Sequence, residues 1–252
     1  MRDFLKKLEI IYKNEIKNFP DLLKKIPYED KGIPHSEIFF IYCLIKKNPP
    51  ERIIESGRAR GQSTIALAKL FPKSKIISIE RDRESLDAKI AASRLKNVKN
   101  VTCLFGDSKK ILPKICKKGR NDIVLIDGPK GFRAIRLALS LLRYKNVSSI
   151  FMHDNTYGSK ERDFLEKKMP HVKFSDHQLL TKISHKLDKP FKSKLPIIYN
   201  YTPKKHYGAS VTLIENNRTY NTLLLRLITR IIDLTSAIQR RKFDLMNFFQ
   251  RT

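Results

Sequence analysis

Five carboxylates close short apolar runs in the first 155 residues: Glu55, Glu80, Asp107, Asp127 and Asp154. One acidic residue after an apolar run is expected from helix capping, because aspartate is a favoured N-cap. Five in succession point to a shared crevice. Glu80 ends Ile76-Ile-Ser-Ile-Glu80 and suits two vicinal hydroxyls of a ribose, while Asp107, after Phe105-Gly106, suits an exocyclic amine. Glu55 precedes Gly57 and Gly61, and Gln62-Ser63-Thr64 then opens an apolar-periodic stretch. That order reads as a buried strand, a tight turn and a helix start, whose free N–H groups favour a polar or anionic ligand. The alternative for the turn is geometry alone, since any strand-to-helix connection can use glycine.

The elements that must position these residues alternate regularly. Strands are expected at 52–55, 75–80, 98–105, 122–127 and 149–153, with helices at 62–71, 83–95, 108–116, 132–144 and 160–168. Near-continuous apolar strands alternating with helices predict an α/β fold, Rossmann-like and doubly wound, with a mostly parallel sheet covered on both faces. Ligands of such sheets sit outside the carboxyl ends of the strands. Two helices, 3–18 and 37–47, precede the alternation and read as an N-terminal cover over residues 1–50, with Ser36 as a cap. The cofactor domain is expected at 51–216, with 171–177 as a sixth strand and 208–215 as an edge strand. Between them the lysine-rich 178–206 segment, with three prolines, reads as a basic loop or lid. A C-terminal amphipathic helix fills 217–252, with Leu224, Ile231, Ile238 and Leu245 at seven-residue spacing.

Residues 51–155 resemble the class I S-adenosylmethionine-dependent methyltransferases. The carrying features are Glu55-Ser-Gly57-Arg-Ala-Arg-Gly61, Glu80 as the ribose acid, and Gly106-Asp107 on the adenine side. The turn is G-x-x-x-G rather than the G-x-G-x-x-G of dinucleotide folds. Within that superfamily, Asp127 followed by Lys130, and Asp154-Asn155 after the fifth strand, are similar to the cation-dependent O-methyltransferases of the catechol and caffeoyl-CoA type. The resemblance implies S-adenosylmethionine held by Glu55, Gly57, Gly61, Ser63, Glu80, Asp107 and Asp127. It implies a divalent cation, Mg²⁺ foremost, on Asp127, Asp154 and Asn155, with Lys130 as the base; hard oxygen ligands agree with that ion class. Such an ion lowers a hydroxyl's pKa, and the oxyanion then attacks the sulfonium methyl in line. The sequence also permits a bland reading, in which 127–131 is an ordinary turn before a helix cap and Asp154-Asn155 a turn pair. His153 reads as a structural strand-end residue, with general base as the minor alternative. Arg58 and Arg60 depart from the usual turn, and they are expected to face solvent or to bind the methionine carboxylate. Gly128-Pro129 stands where bulkier residues are usual.

The formal net charge is +27, with 52 Lys and Arg against 25 Asp and Glu. A balance this basic suggests an anionic substrate or surface, or only a proteome bias spread over solvated faces. The leading expectation is an O-methyltransferase acting on a small-molecule or glycan hydroxyl. One alternative is an RNA methyltransferase; another is a non-catalytic binding or assembly protein on the same scaffold, its tail joining a homodimer or an anionic membrane. No Asn-Pro-Pro-Tyr motif follows the fourth strand, which counts against base N-methylation. Three cysteines, Cys43, Cys103 and Cys116, form no disulfide framework or metal-type spacing. With no signal-type apolar stretch at the N-terminus, the expected location is the cytoplasm, with peripheral membrane attachment as the alternative.

Overall fold

The computed structural model describes residues 2–30, 32–195, 206–216 and 220–249, with side chains described as far as Thr235. Seven strands form one sheet: β1 (Arg52–Ser56), β2 (Lys75–Glu80), β3 (Val101–Phe105), β4 (Asp122–Ile126), β5 (Val147–Met152), β6 (Lys173–Phe174) and β7 (Thr212–Glu215). Their order across the sheet is β3-β2-β1-β4-β5-β7-β6. The first five are parallel, β1 lying between β2 and β4, and β7 runs antiparallel to both β5 and β6. The predicted edge strand at 208–215 is therefore interior. Two-residue β6 closes that side instead, because β7 pairs with β5 from Ser149 to Met152 and presents its other edge to β6.

Alternation along the strands divides the core. Ile53 packs into one cluster with Phe39, Ile41, Leu67, Ile76 and Leu180, and Ile54 packs into the other with Val124, Ile135, Leu139, Phe164 and Leu225. Strand residues point alternately to the two faces, so β1 is buried on both. The first face carries α1 (Arg2–Glu15), α3 (His35–Ile45), α4 (Gln62–Leu70), α5 (Leu86–Leu95) and α9 (Gln178–Ser184); a short α2 (Phe19–Leu22) links α1 to the segment before α3. The second carries α6 (Ser108–Cys116), α7 (Phe132–Leu141), α8 (Lys160–Lys168) and α10 (Thr222–Phe249).

Two expectations shift. Ser36 does not cap α3: Pro34 precedes the helix, and Ser36 is buried, its backbone N–H donating to Asp188. The segment expected to be a loop is helical over 178–194, in α9 and two 3₁₀ turns, and it is strapped to the N-terminal layer. Asp188 accepts from the Ser36 N–H and the Tyr207 hydroxyl, Phe191 stacks on Tyr28 at 4.1 Å, and Lys194 Nζ donates to the Tyr28 carbonyl. The rest of that segment, 196–205, lies outside the described residues.

The tail is helical, and it docks on α7 through Leu225, Ile228 and Ile232, with Arg136 bonding the Thr229 carbonyl and pairing with Asp233 at 2.5 Å. Its heptad stripe is not the docking face. Leu224 and Ile231 are half exposed, together with Leu223, Leu227 and Leu234. The docked residues share that seven-residue spacing one position further on, and one residue is about 100° of helix rotation, which turns the Leu224–Ile231 row away from α7. Ile238 and Leu245 fall beyond the described side chains. Among the described residues, no helix is long and apolar enough to cross a membrane.

Candidate active site

The carboxyl ends of β1, β2, β4 and β5 open on a cleft of about 510 Å³. Its wall includes Gly57, Ala59, Glu80, Asp127, Lys130, His153 and Asp154. A second hollow of about 260 Å³ shares Gly57 and Glu80, and adds Arg81, Asp107, Lys109, Pro129 and Arg133. Two joined spaces around one turn suit a ligand with two ends.

Gly57 is the residue this turn cannot exchange. Its φ is +93°, and a Cβ there would stand 2.7 Å from the Gly128 nitrogen. The first and fourth strand ends are thereby held together, the N–H groups of Asp127 and Gly128 both donating to the Ser56 carbonyl at 2.8 and 2.9 Å. The turn is also tied to β2: Glu80 accepts from the N–H groups of Arg58 and Ala59 through one oxygen and of Arg81 through the other. Glu80 is thus preset at the junction of the two hollows. Asp107 borders the second hollow, where one of its oxygens caps α6 by accepting from the Lys109 N–H.

Three residues expected to hold the cofactor border neither hollow. Glu55 is fully buried beneath the turn, its oxygens taken by the hydroxyls of Ser63, Thr64 and Ser78. Burial raises its pKa, though those hydroxyls oppose the shift. Ser63 is spent on Glu55 and reaches only a hollow of about 10 Å³ beside Asp127. Gly61, at φ +82°, precedes α4 and packs against Ala91 of α5. These residues build the turn from behind.

Arg58 and Arg60 meet neither expectation. Arg58 is buried, one nitrogen donating to the carbonyl of Ser78 and the guanidinium lying 4.8 Å from the Phe105 ring. Arg60 is paired with Asp87 at 2.7 Å and Glu29 at 3.1 Å, and Arg94 joins Glu29 at 2.6 Å. Both therefore brace the turn, one against the sheet and the other against the N-terminal layer.

The ends of β4 and β5 carry the charged cluster. Lys130 Nζ lies 2.5 Å from Asp127 and also pairs with Asp154; the intervening Gly128-Pro129 peptide is cis. His153 Nδ1 is 2.8 Å from Asp127 Oδ1 and 3.1 Å from Asp154 Oδ1, and its Nε2 is 2.7 Å from Glu37. Burial pushes the Asp127 pKa up, but His153 and Lys130 outweigh it and bring it down to about 2. Burial works likewise against the charged forms of His153 and Lys130, yet their carboxylate neighbours hold both pKa values above the ordinary ones. A lysine clamped this way is an ammonium, so it can serve as a base only after its carboxylate partners are drawn off and it has given up its own proton.

Asn155 is not on the cleft wall. It is buried, with its amide nitrogen donating to the carbonyls of Met152 and, more weakly, His153. Among the described His, Cys, Asp and Glu residues, the group whose ligand atoms lie within 4.8 Å of one another is Asp127, His153 and Asp154.

Sequence reasoning missed the cleft's outer wall. Tyr28, Glu29, Asp30, Gly32 and Pro34 line it from the N-terminal layer, with Lys194, Leu195 and Ala209 beside them. The available signal was Glu37, an acid in the first turn of α3, just before the apolar run 38–45. It is only 2% exposed, one oxygen accepting from the Ser210 N–H.

Residues 50–129 match the model of a family described as "Putative methyltransferase". No curated protein is matched by the sequence. Among solved structures, the cofactor-bound Rv0187 from MTB is similar at 16% identity and a TM-score of 0.50, over 80% of this chain and 88% of that one. The O-methyltransferase from Bacillus cereus in complex with SAH aligns at 16% identity, over 84% and 90%, with a TM-score of 0.49. The O-methyltransferase TomG from Streptomyces achromogenes, involved in tomaymycin synthesis and in complex with SAM, aligns at 17%, over 79% and 87%, with a TM-score of 0.47. The family match covers the segment that carries the glycine turn and Glu80, and the likeness to the Rv0187 structure is one of fold: a Rossmann-like, mostly parallel sheet flanked by helices.

Proposed function

We propose that the protein transfers the methyl group of S-adenosylmethionine to a hydroxyl of a neutral polyhydroxylated acceptor, a small molecule or a glycan, with a divalent cation on Asp127 and Asp154. The observation that carries this reading is the shared cleft: Gly57 and Glu80 border the same space as Asp127, Lys130, His153 and Asp154. Glu80 would hold ribose hydroxyls, Asp107 the adenine side, and the turn the remainder of the cofactor. A divalent ion, when bound, supplies Lewis acidity that makes an acceptor hydroxyl easier to deprotonate. The fit of that ion rests on the donor set, two carboxylates aimed at one locus that already attracts the Lys130 ammonium. Lys130 is the amine at that locus, and relieved of a carboxylate it is the candidate base.

The acceptor's neutrality follows from the lining. Among the described wall residues, Glu29, Asp30, Glu80, Asp127 and Asp154 face Lys130 and Lys194. In a chain of net charge +27 this wall is acidic before a cation binds, and the cation with His153 brings it only to about neutrality, which suits an uncharged acceptor at the reacting end. Calorimetric titration with S-adenosylhomocysteine tests the cofactor reading, and no binding at millimolar ligand overturns it. The cation is tested separately, by loss of turnover on chelation and in Asp154→Ala.

A further inference from the structure

We infer that His153, oriented by the buried carboxylate of Glu37, is the third protein ligand of the cation on Asp127 and Asp154, in the place that the sequence resemblance gives to Asn155. The inference rests on the cation of the proposed function and changes its ligand set. Four observations carry it.

The first is distance. Ligands at about 2.1 Å around an octahedral ion stand about 3.0 Å apart along each edge. His153 Nδ1 is 2.8 Å from Asp127 Oδ1 and 3.1 Å from Asp154 Oδ1, so two edges of such a polyhedron are matched, and ligand atoms of all three residues lie within 4.8 Å of one another. Hydrogen bonds share those lengths, so distance alone does not decide.

The second is the other ring nitrogen. His153 Nε2 faces Glu37 at 2.7 Å, and the Glu37 side chain is 3% exposed. The contact is an ion pair rather than an aligned hydrogen bond; a carboxylate so placed still favours the N–H on the far nitrogen and leaves the lone pair of the near one for the metal, the outer support usual for a ligating imidazole. Glu37 is held by the Ser210 N–H and belongs to α3, so the N-terminal layer sets the ring's angle.

The third is the backbone. Asp154 has a φ of +62°, a left-handed conformation uncommon for a residue with a Cβ. It places Asp154 beside Lys130 and His153, whereas Asn155, next in the chain, sits 4% exposed with its amide nitrogen turned back onto the Met152 carbonyl of β5.

The fourth is that the site's cation is already indicated. Lys130 Nζ pairs with the same two carboxylates, and the described wall supplies no further imidazole or thiolate. One imidazole and two carboxylates are a more nitrogen-rich set than an all-oxygen site, and they move preference from Mg²⁺ toward Mn²⁺, Fe²⁺ and Co²⁺.

The test uses the full-length protein and MnCl₂ alone. Electron spin-echo envelope modulation of the bound Mn²⁺ should show coupling to one directly bound nitrogen, which His153→Asn abolishes. Titration should show Mn²⁺ affinity falling 10- to 100-fold in Glu37→Gln, the usual effect of removing an outer-shell partner. Asn155→Ser should leave the affinity within about threefold. Thermal melts of each variant separate loss of a ligand from loss of fold, and the wild-type spectrum needs no variant at all. Mn²⁺ bound through Asp127 without nitrogen coupling overturns the inference and leaves the proposed function standing. Absence of Mn²⁺ binding overturns both the inference and the cation, while S-adenosylhomocysteine binding still decides the methyl-transfer reading.

Discussion

Replacing Asp176 by asparagine should cost the fold about 3 kcal/mol. Arg162 is 3% exposed and Asp176 1%, so the pair is withdrawn from water. The guanidinium contacts both Asp176 oxygens, at 3.1 and 3.3 Å, the Asn155 carbonyl at 3.2 Å and Glu166 at 2.6 Å, and it lies over the Phe174 ring. Breaking a buried pair from one side typically costs about 3–5 kcal/mol, because the remaining charge is stranded. Glu166 stays as partial compensation, and it is 42% exposed, so the low end applies. For a chain of this size each kcal/mol lowers Tm by about 2–4 °C, giving a fall of roughly 6–12 °C. Far-UV circular dichroism is the suitable probe, since the chain has no tryptophan. The double variant Arg162→Met/Asp176→Leu removes both charges and should melt above Asp176→Asn. A fall of less than about 3 °C in the single variant, or a double variant that melts lower still, would refute the reasoning. Because Arg162 also bonds the Asn155 carbonyl, the single variant should weaken Mn²⁺ binding as well.

Gly57→Ala must adopt a positive φ against the Gly128 backbone; strain of about 1–3 kcal/mol predicts a 5- to 150-fold loss of S-adenosylhomocysteine affinity, measured by titration calorimetry. The Asp127 pKa is depressed to about 2, so its stabilisation is present above pH 3.8 and lost as pH falls toward 2; the stability gap between wild type and Asp127→Asn should close across that window in acid unfolding. Asp188 behaves oppositely. Burial raises its pKa from 3.8 to about 7, so its ionisation costs stability increasingly between those values. Asp188→Asn should therefore gain on wild type between pH 4 and pH 8 in thermal melts, and an advantage that shrinks with pH would contradict the assignment.

What the sequence made legible was what lies close along the chain. β2, α6 and α8 match their expected bounds, and the acids at the ends of β2, β4 and β5 do border the cleft. A strand and the turn after it are encoded by neighbouring residues, so period and glycine placement suffice. Contacts made across long separations were not legible. Glu55 and Ser63 looked like ligand groups from their positions in the turn, but hydroxyls from α4 and β2 close over Glu55. Arg60 looked anomalous until Glu29, 31 residues earlier, supplied its partner. Glu37 and His153 are far apart in sequence and meet only because α3 packs across the sheet.

The acidic wall of the cleft has a consequence for turnover. On the proposed function, methyl transfer would convert a positively charged sulfonium into a neutral thioether, leaving Glu29, Asp30, Glu80, Asp127 and Asp154 around a product with one positive charge fewer. The same carboxylates that draw the methyl donor in would then hold the spent cofactor less well, so transfer itself would loosen the complex. Screening should erode that asymmetry, with the donor's affinity falling more steeply than the product's as salt is raised.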